Sequence, residues 1–219
     1  MTDQAGAYMT TVPLLEGRYV RLEPLSQAHA DGLAAAAAAD ASLYRWTLAP
    51  QGADEAARYI AMALELRDAG KAAPFATVRV ADGVVIGSTR FFDLERWAWP
   101  QGHERHGRED ADVGEIGYTW LTAAVIRTAA NTEAKLLMLT HAFEVWGMLR
   151  ICLHTDERNE RSRTAIERIG GKFEGILRGH RMAADFIPRN SARYSIVAAE
   201  WLGIKARLAE RLYGRAVSS

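Results

Sequence analysis

The order of elements between Val113 and Gly171 constrains this chain more than any other feature. Val113 to Leu121 reads as a strand. Asn131 to Trp146 reads as a helix, with Leu136, Leu139, Phe143 and Trp146 on one stripe and Gly147 at its end. Ile151 to Thr155 is a short strand. Asn159 to Ile169 is a second helix, capped by Asn159 and ended by Gly170-Gly171. This β-loop-α-β-α order places both helix N-termini near neighbouring strand ends. Helix N-termini offer free N–H groups and a positive dipole end. The loop Arg127-Thr128-Ala129-Ala130-Asn131-Thr132 at such a terminus suits a pyrophosphate. Ala129 and Ala130 allow close backbone approach, and Arg127 adds charge. The same residues also suit a plain strand-to-helix connection. Neither GxxxxGK[ST] nor GxGxxG is present, so the loop is neither a Walker loop nor a Rossmann fingerprint.

The rest of the chain fits a mixed sheet. Tyr19 to Leu25 alternates Val20 and Leu22 against Arg21 and Glu23, a half-buried strand that Pro24 ends or marks as an edge. Ser26 can cap a helix through the alanine run. A second helix spans about Ala53 to Ala69, with Ala57, Ile60, Ala61 and Leu64 at helical spacing, stopped by Gly70. Phe75 to Val80 and Val84 to Phe92 are strands around the turn Ala81-Asp82-Gly83. Asp93 to Asp112 has no period and reads as a long loop or insertion, functional or mobile. Lys172 to Leu177 and Arg193 to Ala199 read as strands, and Trp201 to Leu212 as a last amphipathic helix. The class is α/β (α+β) with a mixed sheet and one core. Residues 1–12 read as a flexible polar tail and 13–219 as a single domain.

Charge and cysteine content narrow the function. Twenty-seven Lys and Arg balance twenty-seven Asp and Glu. Broad, sequence-blind nucleic-acid binding needs excess cation, so no nucleic-acid partner is expected. Cys152 is the one cysteine, which excludes an internal disulfide and a CxxC zinc knuckle. A reducing, cytoplasmic setting is the natural expectation. No apolar run is long enough for a bilayer, and Met1 to Thr11 does not read as a signal peptide.

The block GEIGYTWL…IRTAANTEAKLLMLTHAFE, followed by LHTDERNERSRTAIERIGGKFEG, strongly resembles the GNAT superfamily of acyl-CoA-dependent N-acetyltransferases. Within it the resemblance is to the Rim-type branch, named for ribosomal-protein N-terminal acetyltransferases. Motif similarity covers Glu115 to about Gly175, and the element order fits from Tyr19 to Ala199. NTEAK and NERSRTAIERIG, 28 positions apart from Asn131 to Asn159, are specific together.

The resemblance implies a GNAT fold. Its mixed sheet has about seven strands, flanked by helices and splayed at the acyl-CoA site. It also implies acetyl-CoA as co-substrate and an amine acceptor that attacks directly, either a small amine or a protein N-terminus. The family's phosphate pattern Q/R-x-x-G-x-G/A falls on Ile126, Ala129 and Asn131, and all three depart from it. The family's main phosphate ligands are backbone N–H groups, so the loop from Arg127 to Thr132 is still expected to bind CoA. Its departures keep open a non-catalytic acyl-CoA-binding or sensor module. Trp120, Leu121 and Thr122 correspond to the strand edge that pairs with the pantetheine arm. Asn159 corresponds to a pantetheine contact, or serves as a helix N-cap. Ser162 corresponds to the group that protonates the departing thiolate, or is an exposed helical serine. Glu115 corresponds to the general base, acting directly or through water, or pairs with an arginine. A glutamate assigned in the Rim-type branch falls near His180-Arg181, where His180 is an alternative base.

Other candidates carry less. His103-x-x-His106 with Asp110 and Asp112 lacks metalloprotease spacing, and no metal is expected. GxSxG is absent, which argues against a serine hydrolase. Cys152 lies on a core strand and is expected to pack. Trp97 and Trp99 could line the acceptor pocket, cover the core, or meet a second subunit in a homodimer. The 93–112 insertion could narrow the site, which favours small amines. Arg127, Arg161 and Arg163 are the expected basic patch for the CoA phosphates.

Overall fold

The computed structural model describes residues 12–183 and 186–214. The expected tail lies outside the described residues apart from Val12, which is buried in the core. Eight strands form one sheet in the order β1-β2-β3-β4-β5-β6-β8-β7. They are β1 (Leu15–Glu16), β2 (Val20–Pro24), β3 (Ala72–Arg79), β4 (Val85–Glu95), β5 (Val113–Leu121), β6 (Arg150–Asp156), β7 (Lys172–Met182) and β8 (Pro188–Val197). Neighbours are antiparallel except β5 and β6, which are parallel. The helices are α1 (Ala30–Ala38), α2 (Ala53–Asp68), α3 (Ala130–Thr140), α4 (Glu160–Arg168) and α5 (Ala198–Tyr213).

The two faces of the sheet carry separate cores. α1 and α2 pack Leu33, Ala37, Ile60 and Ala63 against Ala76, Val78 and Trp120. α3 and α5 bring Met138, Leu139, Trp201 and Ile204 against Phe75, Phe91, Ile116, Ile151 and Ile196. The expected single core is therefore two layers on one mixed sheet, as a sheet buried on both faces requires.

The boundaries depart from the sequence reading in instructive places. β1 is two residues long, too short for any period to show. Ser26 precedes a 3-10 turn, Gln27–His29, that leads into α1. The helix expected through Trp146 is α-helical only to Thr140 and continues as a π turn, His141–Val145. There Trp146 N–H donates to the His141 carbonyl, and the indole packs edge-on against Phe91 at 4.7 Å. The last strand stops at Val197 because Glu200 accepts from Val197 N–H at 3.4 Å and starts α5 there.

The 93–112 segment is organised rather than loose. β4 runs on to Glu95, and the remainder closes on the buried Asp112. One Asp112 oxygen accepts from Trp97 N–H and Trp99 Nε1, both at 2.9 Å. Its other oxygen pairs with Arg105 at 3.1 Å. Burial alone would raise this carboxyl's pKa, but these donors outweigh burial and hold it below its ordinary value. Arg105 and Arg108 donate to the carbonyls of Gly147 and Trp146, so the loop sits beneath the C-terminal end of α3.

Candidate active site

β5 and β6 pair over three positions only, Val113–Arg150, Gly114–Ile151 and Glu115–Cys152. Beyond Glu115 they part. β5 stays with β4 as far as Gly87–Leu121, and β6 stays with β8 as far as Asp156–Ser191. A bulge drives β5 away: Tyr118 and Thr119 lie between the pairs Arg90–Gly117 and Ser88–Trp120, facing only Thr89. Tyr118 adopts φ 50°, as a bulged residue can. Gly87 has φ 153°, and a Cβ there would stand 2.0 Å from the Trp120 carbonyl oxygen. The opened edge leads into a cleft of about 1160 Å³.

The outer end of the cleft is built by the loop before α3. Ile126, Arg127, Thr128 and Asn131 line it. Thr128 Oγ1 donates to the Val125 carbonyl at 2.7 Å and accepts from Ala130 N–H at 3.3 Å. First-turn amides of a helix have no intrahelical acceptor, so those of Asn131 and Thr132 are available to an anion. The side chains of Ala130 and Thr132 are buried, which leaves their backbone for that purpose. Ala129 has φ −66°, a conformation that needs no glycine. The left-handed residue is Arg127, at φ 64°.

Along β5, Trp120 and Leu121 line the cleft and Thr122 does not. Thr122 N–H donates to the Ile86 carbonyl at 2.8 Å and is thus held by β4. On the far wall Asn159 Oδ1 caps α4 by accepting from Ser162 N–H at 3.1 Å. Both residues line the cleft, and the Ser162 hydroxyl has no hydrogen bond among the described residues. Arg161 lines it too, but Arg163 turns away, donating to Tyr194 Oη and the Glu157 carbonyl. The basic patch is therefore Arg127 and Arg161 without Arg163.

The inner end holds the titratable groups. Glu115 is 6% exposed. His154 Nδ1 stands 2.8 Å from its Oε2, and Arg181 Nη2 stands 3.4 Å from the same oxygen. The His154–Glu115 contact is within ion-pair range but lacks hydrogen-bond alignment, and both ring nitrogens of His154 are buried without hydrogen bonds. His180 lies 5.1 Å from His154, ring to ring, outside the cleft lining. Burial first, then the charges of Arg181 and His154, lower its pKa. Deeper under the bulge, Lys135 is 4% exposed yet lines the cleft. Its Nζ donates to Thr119 Oγ1 at 2.7 Å and Thr89 Oγ1 at 3.0 Å. Burial lowers its pKa to about 7.

His154, Lys135, Arg181 and Arg189 are cleft residues that sequence reasoning did not single out. His154 sits two positions after Cys152 on one face of a core strand, which is a readable signal. Lys135 sits between the apolar Ala134 and Leu136 of α3, which is another. No residue from 93 to 112 lines the cleft, although Asp93 pairs with the lining Arg181 at 2.7 Å. Trp99 instead stacks on His103 at 4.3 Å and donates to Asp112. Cys152 packs as expected, its Sγ accepting from Arg150 Nε at 3.3 Å. Among the described residues no group of three or more His, Cys, Asp or Glu is placed to hold a metal ion, and no helix is long and apolar enough to cross a membrane.

Comparison with known proteins places this geometry. The family model of the acetyltransferase (GNAT) domain matches residues 20–172. The crystal structure of a GCN5-related N-acetyltransferase from Brucella melitensis is 30% identical, with a TM-score of 0.78, over 92% of this chain and 86% of that one. RimJ of Mycobacterium smegmatis, solved with CoA-disulfide, is 18% identical, with a TM-score of 0.76, over 93% and 96%. The ribosomal-protein-S5-alanine acetyltransferase of Vibrio fischeri is 16% identical, with a TM-score of 0.66, over 86% and 98%. At such identities the last two share the fold. No curated protein matches the chain.

Proposed function

Because the chain belongs to the GNAT acetyltransferase family, we propose that it moves the acetyl group of acetyl-CoA to a primary amine by direct attack, with Glu115 and His154 taking the amine's proton. The observation that carries the reading is the position of that pair at the vertex of the β5/β6 split, in one cleft with the α3 N-terminus.

The division of labour follows from chemistry. The amides of Asn131 and Thr132, with Arg127 and Arg161, form the cationic end suited to the phosphates. The freed edge of β5 at Trp120 and Leu121 suits an extended amide arm, as an added strand would. An acceptor ammonium must lose a proton before its nitrogen can attack the thioester carbon. His154, with Nδ1 against Glu115, is the acceptor of that proton, directly or through water. The nitrogen adds to the carbonyl, and the C–S bond then breaks. Ser162 gives the departing sulfur a hydrogen bond from its unengaged hydroxyl. No covalent acyl-enzyme is needed, in keeping with the buried Cys152.

The test is release of CoA thiol in the presence of acetyl-CoA and panels of small amines and of peptides with free N-termini. Turnover of at least one class is the expected result. Absence of turnover with both, while acetyl-CoA still raises the melting temperature, would overturn the catalytic reading.

A further inference from the structure

Two arginines face one another beside the proposed base. Arg181 on β7 and Arg189 on β8 are register partners and both line the cleft. Like charges directly opposite on neighbouring strands destabilise a sheet. Arg181 is answered by Asp93 at 2.7 Å and Glu115 at 3.4 Å. Arg189 is not. Its Nε donates to Ser191 Oγ at 3.1 Å, and no carboxylate lies within ion-pair range of it among the described residues. Burial and the charge of Arg181, in that order, lower its pKa against the more distant charges of Asp156 and Glu115, and a guanidinium stays charged. A half-buried cation facing another cation is costly unless an anion joins it.

The place of the pair decides which anion. Arg181 touches Glu115, where β5 and β6 separate. The phosphate end begins beyond Leu121, six residues further along β5, or about 20 Å at strand spacing. Arg181 therefore reaches the reacting centre itself, and Arg189 stands beside it as its register partner in the same cleft. Guanidinium groups bind carboxylate and phosphate through paired N–H donors, which fixes orientation as well as charge. We propose that Arg189, with Arg181 beside it, is an anion subsite for the acceptor, so that the amine acetylated here carries a carboxylate or a phosphate. This rests on the reading that Glu115 and His154 mark where the acceptor amine reacts.

Matched acceptors test it: β-alanine against β-alaninamide for the carboxylate, and phosphoethanolamine against ethanolamine for the phosphate. The charged member of at least one pair is expected to have the higher kcat/KM, by roughly tenfold or more. In Arg189→Gln that ratio collapses, and in Arg189→Lys it is partly restored. A ratio near one in the wild type, or one that survives Arg189→Gln in a folded protein, overturns the proposal. Failure of the underlying reading looks different, since then no amine turns over. In that case thermal shifts with β-alanine and phosphoethanolamine read the subsite alone. A shift present in the wild type and lost in Arg189→Gln supports it, and equal shifts or none overturn it.

Discussion

His154 Nδ1 lies 2.8 Å from Oε2 of Glu115, although the strands that carry the two residues stop pairing at Glu115. The contact is possible because His154 follows Cys152, the register partner of Glu115, by two positions on β6 and so projects from the same face of that strand. The split that opens the cleft therefore brings a carboxylate and an imidazole together at one point of its wall. Two groups that act as one base give non-additive losses when removed. Glu115→Gln and His154→Gln should each lower kcat by about 10²-fold or more, with acetyl-CoA still protecting against thermal unfolding. The double variant should be no worse than the poorer single one. Strictly multiplicative losses would show that the two residues act separately.

Lys135 links stability to pH. In the folded protein burial lowers its pKa to about 7, against the ordinary value of 10.5. Between these values the unfolded chain holds one more proton than the folded chain, so stability rises with pH. The slope from this group is roughly 1.4 kcal/mol per pH unit. Below pH 7 both states are charged, and the penalty of the buried ammonium is at its full size. Lys135→Met removes the link. The difference in unfolding free energy between wild type and variant, measured by urea titration from pH 7 to 10, should move in favour of the wild type as pH rises. A flat difference would mean that the ammonium is not desolvated.

Arg127 occupies a left-handed conformation at the mouth of the cleft, φ 64°. For a residue with a Cβ that region costs roughly 1–2 kcal/mol, and glycine offsets part of the gain through chain entropy. Arg127→Gly should therefore stabilise the fold by about 0.5–1 kcal/mol while weakening CoA binding, because the cation is lost. The two readouts move in opposite directions, melting temperature up and affinity down. Equal CoA affinity in both proteins would leave the phosphates to backbone amides and Arg161.

How much of this was legible in the sequence depends on whether the signal was periodic. The helices, the glycine stops and the Asn159 cap are local and were readable. The phosphate loop departs from its family's pattern at Ile126, Ala129 and Asn131, yet its geometry tolerates Ala129 because the left-handed position belongs to Arg127. The split of β5 from β6 comes from a bulge at Tyr118 and Thr119, which leaves no trace in hydrophobic alternation. Arg181 and Arg189 lie at the outer ends of β7 and β8, where exposed and half-buried residues mix, so no buried face marked them. The pairing of the Thr122 amide with Ile86 on β4 is likewise a matter of register alone.

Glu133 ties three distant parts of the chain together. Its buried carboxylate accepts from the amides of Arg18, Tyr19 and Val20 at 2.6–2.9 Å, and from the Tyr213 hydroxyl at 2.6 Å. The approach is so close that a Cβ on Gly17 would stand 2.6 Å from the Glu133 Cδ. Glu133→Ala leaves several donors unanswered and should cost about 3–5 kcal/mol, with Glu133→Gln smaller in the same direction. Gly17→Ala should also destabilise, by displacing the carboxylate. Shifts in the denaturant midpoint at constant slope would measure each effect.

Asp112 decides whether the loop at the end of α3 has any part in catalysis. Its carboxylate gathers Trp97 N–H, Trp99 Nε1 and Arg105, and Arg105 in turn holds the Gly147 carbonyl. Asp112→Ala removes the common acceptor, so the loop should open and trypsin should cut at Arg105 or Arg108. Because the hydrogen-bond donors hold the Asp112 pKa below its ordinary 3.8, the clasp stands above that range and is lost only as the pH falls through the lowered value. No residue from 96 to 112 lines the cleft, so kcat/KM should stay within about twofold of wild type despite the new cleavage. Retained activity would confine the insertion to stabilising the α3 end of the fold. A large fall in kcat/KM with one acceptor class only would instead give the loop a place in acceptor choice, acting from outside the cleft.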